Sequence, residues 1–162
     1  LLVLPFSDLV LPTKPDLLMV LDEIKDPGNF GTILRSAVAF GLQGILYTPG
    51  SVDPYSPKVV RSGMGAHFRI PLVQADPDEI VTLTAGTTLY LAEVQQGIPC
   101  WQADLSKPVT FIIGNEAHGV SQAMRNLSHK NLLIPMPGDM ESLNAAMSAN
   151  ILLYEAARQR NA

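Results

Sequence analysis

The chain has 162 residues, of which 47% are hydrophobic and 16% are charged, and its formal net charge at pH 7 is −4. This balance predicts one domain with a single core and argues against a protein that binds nucleic acid over its whole surface. The sequence has no apolar stretch near the ~18 residues that cross a bilayer and no signal-peptide pattern, which predicts a cytoplasmic protein.

The first segment, residues 1–16, reads LLVLPFSDLVLPTKPD and contains three prolines before the first predicted strand. Proline interrupts both helices and sheets, so this segment is predicted to be a linker. We expect a piece of the protein that precedes it to be absent from this chain, and a single domain over residues 17–162.

Residues 17–22, LLMVLD, form a short apolar run that predicts a buried parallel strand, and the DPG sequence at 26–28 predicts a turn. Asn29 is then the predicted cap of a helix that Gly41 ends. At ~100° per residue, Arg35 points away from the apolar stripe of this helix. A solvated arginine is one interpretation of Arg35, and a functional cation is the other. The stripe consists of Phe30, Ile33, Leu34, Ala37 and Val38.

The rest of the chain alternates between strands and helices. The predicted strands cover residues 44–47, 69–73, 87–94, 109–114 and 131–136. The predicted helices begin near Pro57 and Ser121 and cover residues 76–86 and 142–160. Such alternation predicts an α/β fold, with a mostly parallel sheet and helices on both of its faces.

Three loops that follow predicted strands are chemically unusual, and ligands of such sheets bind at the carboxyl ends of strands. The loops read DEIKDPGNFG after residue 21, GNEAHGVS from residue 114 and PGDMESLN from residue 137. Glu116 is either a solvated residue of a helix-entry turn or part of a site. Ser142 is either a simple helix cap or part of the same site.

Cysteine and histidine form no recognisable site in the sequence. Cys100 is the single cysteine, which excludes an internal disulfide, and no Cys or His stands near it at the spacing of metal ligands. We assign Cys100 to packing and predict no metal site. His67, His118 and His129 are each isolated and are interpreted as structural.

Three motifs together resemble the SpoU class of the SPOUT superfamily, the RNA ribose 2′-O-methyltransferases that use S-adenosylmethionine. The first motif is N-x-G-x-x-x-R at Asn29, Gly31 and Arg35, and the second is G-N-E at 114–116. The third is I-P-M at 134–136 followed by S-L-N at 142–144. The motifs occur in the family's order, and the resemblance spans roughly residues 17–160. It implies an α/β fold whose C-terminal part is threaded into a deep trefoil knot, an exception among protein chains.

The resemblance implies that S-adenosylmethionine is the cofactor and that main-chain groups of the knotted loops hold it beside apolar side chains. A G-x-G-x-x-G fingerprint is absent, which fits this cofactor because a sulfonium group has no pyrophosphate to bind. The implied cofactor-binding residues are Gly114, Asn115, Glu116, Ile134, Pro135, Met136, Ser142, Leu143 and Asn144.

The implied reaction transfers the methyl group to a ribose 2′-hydroxyl, which requires an aligned and more anionic oxygen. Arg35 is implied as the activator. Because arginine stays protonated, we favour a guanidinium that stabilises the developing alkoxide, with the proton passing to an RNA phosphate. Asn29, Glu116, Ser142 and Asn144 are implied to orient Arg35, the ribose and the cofactor.

Residues 25–69 carry five lysines and arginines against two carboxylates, which predicts an electropositive surface. Lys58 and Arg61 share a helix face within this stretch and match the region that lies near the active site in the family. They suit contacts to RNA phosphates, which position RNA without reading its sequence. A solvated helix face is the alternative.

The last predicted helix carries apolar residues on nearly all of its faces, which is consistent with the homodimer that the resemblance implies. Asn150 lies within the stripe formed by Leu143, Met147, Ile151 and Tyr154, where the family usually has glycine. A buried amide needs hydrogen-bond partners. We expect a partner across a subunit interface or within the cofactor loop.

The resemblance implies a structured RNA substrate, and ribosomal RNA is preferred over transfer RNA. The reason is that a linker after an absent N-terminal RNA-binding domain is typical of relatives that act on ribosomal RNA. The alternative function is a catalytically inactive knotted module for RNA binding or dimerisation. A Rossmann-type oxidoreductase ranks last, because its glycine fingerprint is absent.

Overall fold

The computed structural model of the chain describes residue 5 and residues 8–161. The predicted linker over residues 1–16 therefore lies partly outside the described residues. The described part of the chain contains a seven-stranded sheet in the order β3-β2-β1-β6-β4-β7-β5, and each pair of neighbouring strands is parallel. The strands are β1 (Leu17–Leu21), β2 (Gly44–Tyr47), β3 (Leu72–Gln74), β4 (Thr88–Glu93), β5 (Ile98–Pro99), β6 (Val109–Ile113) and β7 (Lys130–Leu133).

Helices connect most of these strands and cover the sheet. They are α1 (Pro27–Ala39), α2 (Pro57–Gly63), α3 (Pro77–Leu83), α4 (Gln122–Leu127) and α5 (Ala145–Arg160). Two short 3-10 helices cover Ala66–Phe68 and Cys100–Gln102. The predicted α/β class and parallel sheet are confirmed, while the trefoil knot stays a prediction.

The core lies on both faces of the sheet because strand side chains alternate between them. In β1, Met19 packs in the cluster that includes α1 and α5, and Val20 packs in the cluster that includes α3 and α4. All five residues of β1 and of β6 are buried, as expected for central parallel strands. Cys100 lies in the core, where burial raises the pKa of its thiol, in agreement with a packing role.

Helix α1 begins at Pro27, so the prediction of Asn29 as its cap is wrong. Asp26 is the cap, and its Oδ1 accepts the main-chain N–H of Asn29 at 2.7 Å. Pro27 suits the first helical position because its fixed φ matches the helix and it has no N–H to satisfy. The side-chain amide of Asn29 is consequently available for contacts outside the helix.

Helix α5 begins at Ala145 rather than at Ser142. Asn144 is the cap, and its Oδ1 accepts the N–H groups of Ala146 at 2.9 Å and Met147 at 3.2 Å. The interpretation of Ser142 as a helix cap is therefore wrong, because Asn144 already satisfies those donors.

Three strands differ clearly from the prediction. Strand β7 ends at Leu133 rather than at Met136. Strand β3 starts at Leu72 rather than at Arg69. The main-chain N–H of Arg69 donates instead to the carbonyl of Ala66 at 2.9 Å, in the 3-10 turn that precedes the strand. Strand β5 is too short to produce an alternating pattern, and it was not predicted. Within the described residues, no helix combines the length and the apolar character that a bilayer crossing requires.

Candidate functional site

The strand order brings the three unusual loops together. Strands β1, β6, β4 and β7 are neighbours and parallel, so their carboxyl ends lie along one edge of the sheet. Helix α1 follows β1, the loop at 114–121 follows β6, and the segment at 134–144 follows β7. The predicted site residues on these segments are therefore placed at a common edge.

Asn29, Glu116 and Asn144 form one hydrogen-bonded chain across these segments. Asn144 Nδ2 donates to Asn29 Oδ1 at 2.8 Å, and Asn29 Nδ2 donates to Glu116 Oε1 at 2.7 Å. Asn144 makes this contact while its Oδ1 caps α5, so a single side chain serves the helix and the site. The structure thus joins three of the predicted catalytic residues.

The loop that carries Glu116 is closed by its own backbone. Asn115 and Gly119 exchange two main-chain hydrogen bonds of 2.9 Å, and Gly119 has a positive φ of 70°. A Cβ on Gly114 would lie 2.3 Å from the main-chain nitrogen of Val120, so the backbone passes too closely for any other residue. These contacts hold Glu116 in a defined position.

Asn115 and Asp22 fasten this loop to the first strand. Asn115 Nδ2 donates to the carbonyl of Glu23 at 2.8 Å. The buried carboxylate of Asp22 accepts the Ser121 N–H at 2.6 Å and the Thr48 hydroxyl at 3.0 Å. Sequence reasoning treated Asp22 only as the end of a strand. A carboxylate at the end of an apolar strand was the signal that pointed to this role.

Arg35 lies on the exposed face of α1 and, within the described part of the chain, makes no hydrogen bond or ion pair. Its helix is held against α2 at Gly31. A Cβ on Gly31 would lie 1.9 Å from Ser62 Oγ and 2.9 Å from the main-chain nitrogen of Gly63. The glycine of the first motif therefore permits close helix packing, and the arginine one turn later faces solvent.

Lys58 and Arg61 are both exposed on α2. Because α2 packs on α1 through Gly31, these two cations belong to the same helix pair as Arg35. Their predicted contact with RNA phosphates stays a prediction.

A cleft of about 300 Å³ opens beside the Glu116 loop, and a smaller cavity of about 40 Å³ adjoins it. Of the predicted cofactor-binding residues, the larger cavity is lined by Gly114, Asn115, Glu116, Ser142 and Leu143. The smaller cavity is lined by Ile134, Met136 and Leu143. Pro135 and Asn144 line neither of the two cavities, although both lie on the segments that border them.

Sequence reasoning missed the wall of the cleft that strand β4 contributes. Ala92, Glu93 and Val94 line both cavities, and Arg125 of α4 lines the larger one. The rule that ligands bind beyond the carboxyl ends of strands applies equally to β4 and was the available signal. Arg125 offered no such signal, because it lies in an ordinary helix segment.

The histidines divide into two groups. His118 is exposed and lines the larger cavity, and its interpretation as structural stays a prediction. His67 is buried with Nε2 2.7 Å from the carbonyl of Pro54, and Nδ1 of His129 accepts the Leu89 N–H at 3.1 Å. Both contacts agree with structural roles.

The composition of the cleft defines what it can bind. Ile134, Met136 and Leu143 offer an apolar surface suited to a flat, uncharged ring. Glu93 and Glu116 line the larger cavity and favour a cationic group. Among the described residues, no cluster of three or more His, Cys, Asp or Glu side chains could hold a metal ion.

Comparison with known proteins gives consistent matches over most of the chain. The sequence model of the SpoU rRNA Methylase family matches residues 16–154. A 23S rRNA (uridine(2479)-2′-O)-methyltransferase from Streptomyces viridochromogenes is 40% identical over 97% of this chain and 58% of its own length. A 23S rRNA (guanosine(2553)-2′-O)-methyltransferase from Bacillus subtilis is 38% identical over 84% of this chain and 56% of its own length.

A solved structure has the same fold. The SpoU methyltransferase AviRb from Streptomyces viridochromogenes, crystallised in complex with the cofactor AdoMet, superposes with a TM-score of 0.86 and is 37% identical. The match covers 93% of this chain and 60% of that protein. The chain thus spans less than two thirds of the length of each of these relatives.

Proposed function

This chain belongs to the SpoU rRNA methylase family, and we propose that it transfers a methyl group from S-adenosylmethionine to a ribose 2′-hydroxyl of structured RNA. The resemblance carried by its three motifs is confirmed by the match to that family. The observation that carries the proposal is the hydrogen-bonded chain of Asn144, Asn29 and Glu116 at the edge of the cleft.

The residues of the cleft fit S-adenosylmethionine. The bound cofactor supplies a methyl group on a sulfonium centre, and the carboxylate of Glu116 suits that positive charge. Ile134, Met136 and Leu143 suit the adenine ring. The close backbone approach at Gly114 supports binding through main-chain groups.

Arg35 is proposed to activate the ribose. Its guanidinium is exposed and unengaged among the described residues, so it is available to a substrate that approaches from solvent. A cation beside the 2′-oxygen would stabilise the negative charge that develops there, and an RNA phosphate would accept the proton. Asn29, Glu116, Ser142 and Asn144 are proposed to orient the reacting groups.

RNA is proposed to contact the α1–α2 pair. Lys58 and Arg61 lie exposed on the helix that packs against the Arg35 helix, where they would contact phosphates on either side of the target ribose. Ribosomal RNA is the proposed substrate, because both bacterial relatives are named for 23S rRNA. On the same ground we propose a cytoplasmic location.

A homodimer is also part of the proposal. Met147 and Tyr154 on α5 are 55% and 60% exposed, and the buried Oδ1 of Asn150 has no hydrogen-bond partner among the described residues. The exposed apolar side chains of this helix face are suited to contact with a partner subunit, whereas the Asn150 oxygen is enclosed by the chain itself.

The activity is tested by incubating the chain with labelled S-adenosylmethionine and ribosomal RNA from cells that lack the gene. We expect label in a 2′-O-methylated nucleoside after digestion of the RNA, and none when Arg35 is replaced by Ala. Methylation of a base instead of a ribose would refute the proposed reaction. Cofactor binding without any transfer to ribosomal or transfer RNA would favour the inactive RNA-binding module.

A further inference from the structure

One ion pair on the wall of the cleft takes no part in the hydrogen-bonded chain of Asn29. It joins Oε1 of Glu93, the last residue of β4, to Nη1 of Arg125 in α4. Arg125 Nε also donates to the carbonyl of Val120 at 3.1 Å, which fixes the plane of the guanidinium. Both charged side chains line the larger cavity.

Each member of the pair keeps one atom without a partner. Among the described residues, neither Glu93 Oε2 nor Arg125 Nη2 takes part in a hydrogen bond. The Arg125 side chain is 39% exposed and that of Glu93 is 16% exposed. A cationic donor and an anionic acceptor are therefore available side by side on the cavity wall.

The charge of the cavity wall makes Arg125 important for any ligand with a carboxylate. Among the lining residues that the structure describes, Arg125 carries the only guanidinium or ammonium group. Glu116 is an anion and already accepts a hydrogen bond from Asn29. Among the described lining residues, a ligand carboxylate would thus find a permanently charged side-chain counterion only at Arg125, and an ammonium group beside it would face Glu93.

We infer that Glu93 and Arg125 bind the α-amino acid end of S-adenosylmethionine, with Arg125 Nη2 donating to its carboxylate and Glu93 Oε2 accepting from its ammonium group. This inference rests on the proposed function. The pair matches both charges of a zwitterion, whereas the ribose and adenine offer neither charge. Glu93 and Arg125 are therefore assigned as ligand-binding residues of the cleft.

The test compares two ligands that differ at this end. S-adenosylhomocysteine keeps the amino acid group, and 5′-methylthioadenosine lacks it while keeping the adenosine and the sulfur. Calorimetry should show that the unmodified chain prefers S-adenosylhomocysteine. Arg125→Gln should weaken S-adenosylhomocysteine binding by roughly tenfold to a hundredfold, and 5′-methylthioadenosine binding by no more than about twofold, because only one of them loses a charged hydrogen bond.

Three further variants sharpen the test. Glu93→Gln should reduce the same preference, because a neutral amide attracts ammonium less strongly. Arg125→Lys keeps the cation and should retain part of the preference. Lys107→Gln is the matched control, since it breaks an exposed ion pair with Asp104 ahead of β6, at the opposite edge of the sheet, and should change neither affinity.

The outcomes separate this inference from the proposed function. If Arg125→Gln lowered the affinity for both ligands equally, Arg125 would only shape the cleft. If it changed neither affinity, Arg125 would have no role in binding. Either result would overturn the inference. An unmodified chain that binds both ligands equally would overturn the inference alone. Failure of that chain to bind either ligand would overturn the proposed function as well.

Discussion

Asn29 donates a 2.7 Å hydrogen bond to Glu116, which lies 87 positions further along the chain. The same side chain accepts a 2.8 Å hydrogen bond from Asn144. Because a carboxylate only accepts and the Asn29 amide has one accepting and one donating end, the orientation of Asn29 is determined from both sides. The first, second and third motifs thus meet through one amide group.

The orientation of Asn29 is predicted to be required for turnover. Asn29→Asp replaces the donor with a carboxylate that faces Glu116, so the two side chains should repel each other and separate. We expect single-turnover methyl transfer to fall by about a hundredfold, the usual cost of a misplacement of ~1 Å. Asn126→Asp, an exposed change on α4, is the control. Normal transfer by Asn29→Asp would exclude a positioning role for this amide.

The guanidinium shape of Arg35 is predicted to matter as well as its charge. Arg35→Lys keeps the cation and removes the planar fork, so we expect kcat to fall by about 10²–10³-fold with little change in Tm. Arg61→Lys is the matched comparison, because a phosphate contact tolerates a point charge and turnover should remain close to normal. If the two variants had the same kcat, the special role of Arg35 would be refuted.

Gly31 is predicted to be essential for packing α1 on α2. In Gly31→Ala the added methyl group would clash with Ser62 and with the main chain of Gly63. The free energy of unfolding, measured by urea denaturation, should therefore fall by about 1–3 kcal/mol. Ser62→Gly in the same chain should restore part of this loss, because it removes the nearest contact. Gly138→Ala is the control and should be near neutral, since no atom lies within 4 Å of its added Cβ.

Glu155 is predicted to make stability depend on pH. Its carboxylate accepts hydrogen bonds from Arg158 at 2.7 and 2.9 Å and from Gln159 at 2.8 Å, and the bonds from Arg158 are the main reason why its pKa lies below the ordinary value of 4.5. The unfolded chain therefore binds this proton more readily than the native chain. The stabilisation is present above about pH 4.5 and is lost as the pH falls through the lower native pKa.

Glu155→Gln should accordingly lower the free energy of unfolding by about 1–3 kcal/mol at neutral pH. The difference from the unmodified chain should shrink in strongly acidic buffer, where the carboxylate is protonated in both states. Urea denaturation across this pH range measures the effect. Glu141→Gln, at an exposed position, is the control. A difference that stays constant with pH would contradict the assigned role of the Glu155 charge.

The exposed face of α5 is predicted to form a dimer interface. Met147→Glu or Tyr154→Glu would bury a charge between subunits, so we expect either variant to be monomeric when the unmodified chain is dimeric. Sedimentation at micromolar concentration distinguishes the two states. Ala123→Glu, exposed on α4, should leave the dimer intact. An unmodified chain that sediments as a monomer would refute the proposed interface.

Most of the fold was predictable because its signals are local. The apolar runs of β1, β2 and β6 and the proline start of α2 are short-range patterns, and the structure has strands and a helix there. The two wrong caps have one cause. At both helix starts several adjacent residues are of types that cap helices well. Backbone geometry decides which of their side chains accepts the main-chain N–H groups of the first turn.

The motifs predicted which residues belong to the candidate site better than they predicted the contacts between those residues. The three motifs name Asn29, Glu116 and Asn144, and the structure joins all three. Glu93 and Arg125 stand outside those motifs and were missed, since their contact depends on β4 lying beside β6, which brings the end of β4 against the helix that follows β6.

The sequence by itself determined the α/β class, the order of the elements other than β5 and the residues of the motifs, because hydrophobic period, turn residues and motif spacing all act over a few positions. Only the tertiary structure decided that Asp22 fastens the Glu116 loop, that Asn29 bridges Glu116 and Asn144, and that Arg125 faces the cleft. Such contacts depend on which strands become neighbours, and strand pairing is set by the packing of the whole core rather than by any local pattern.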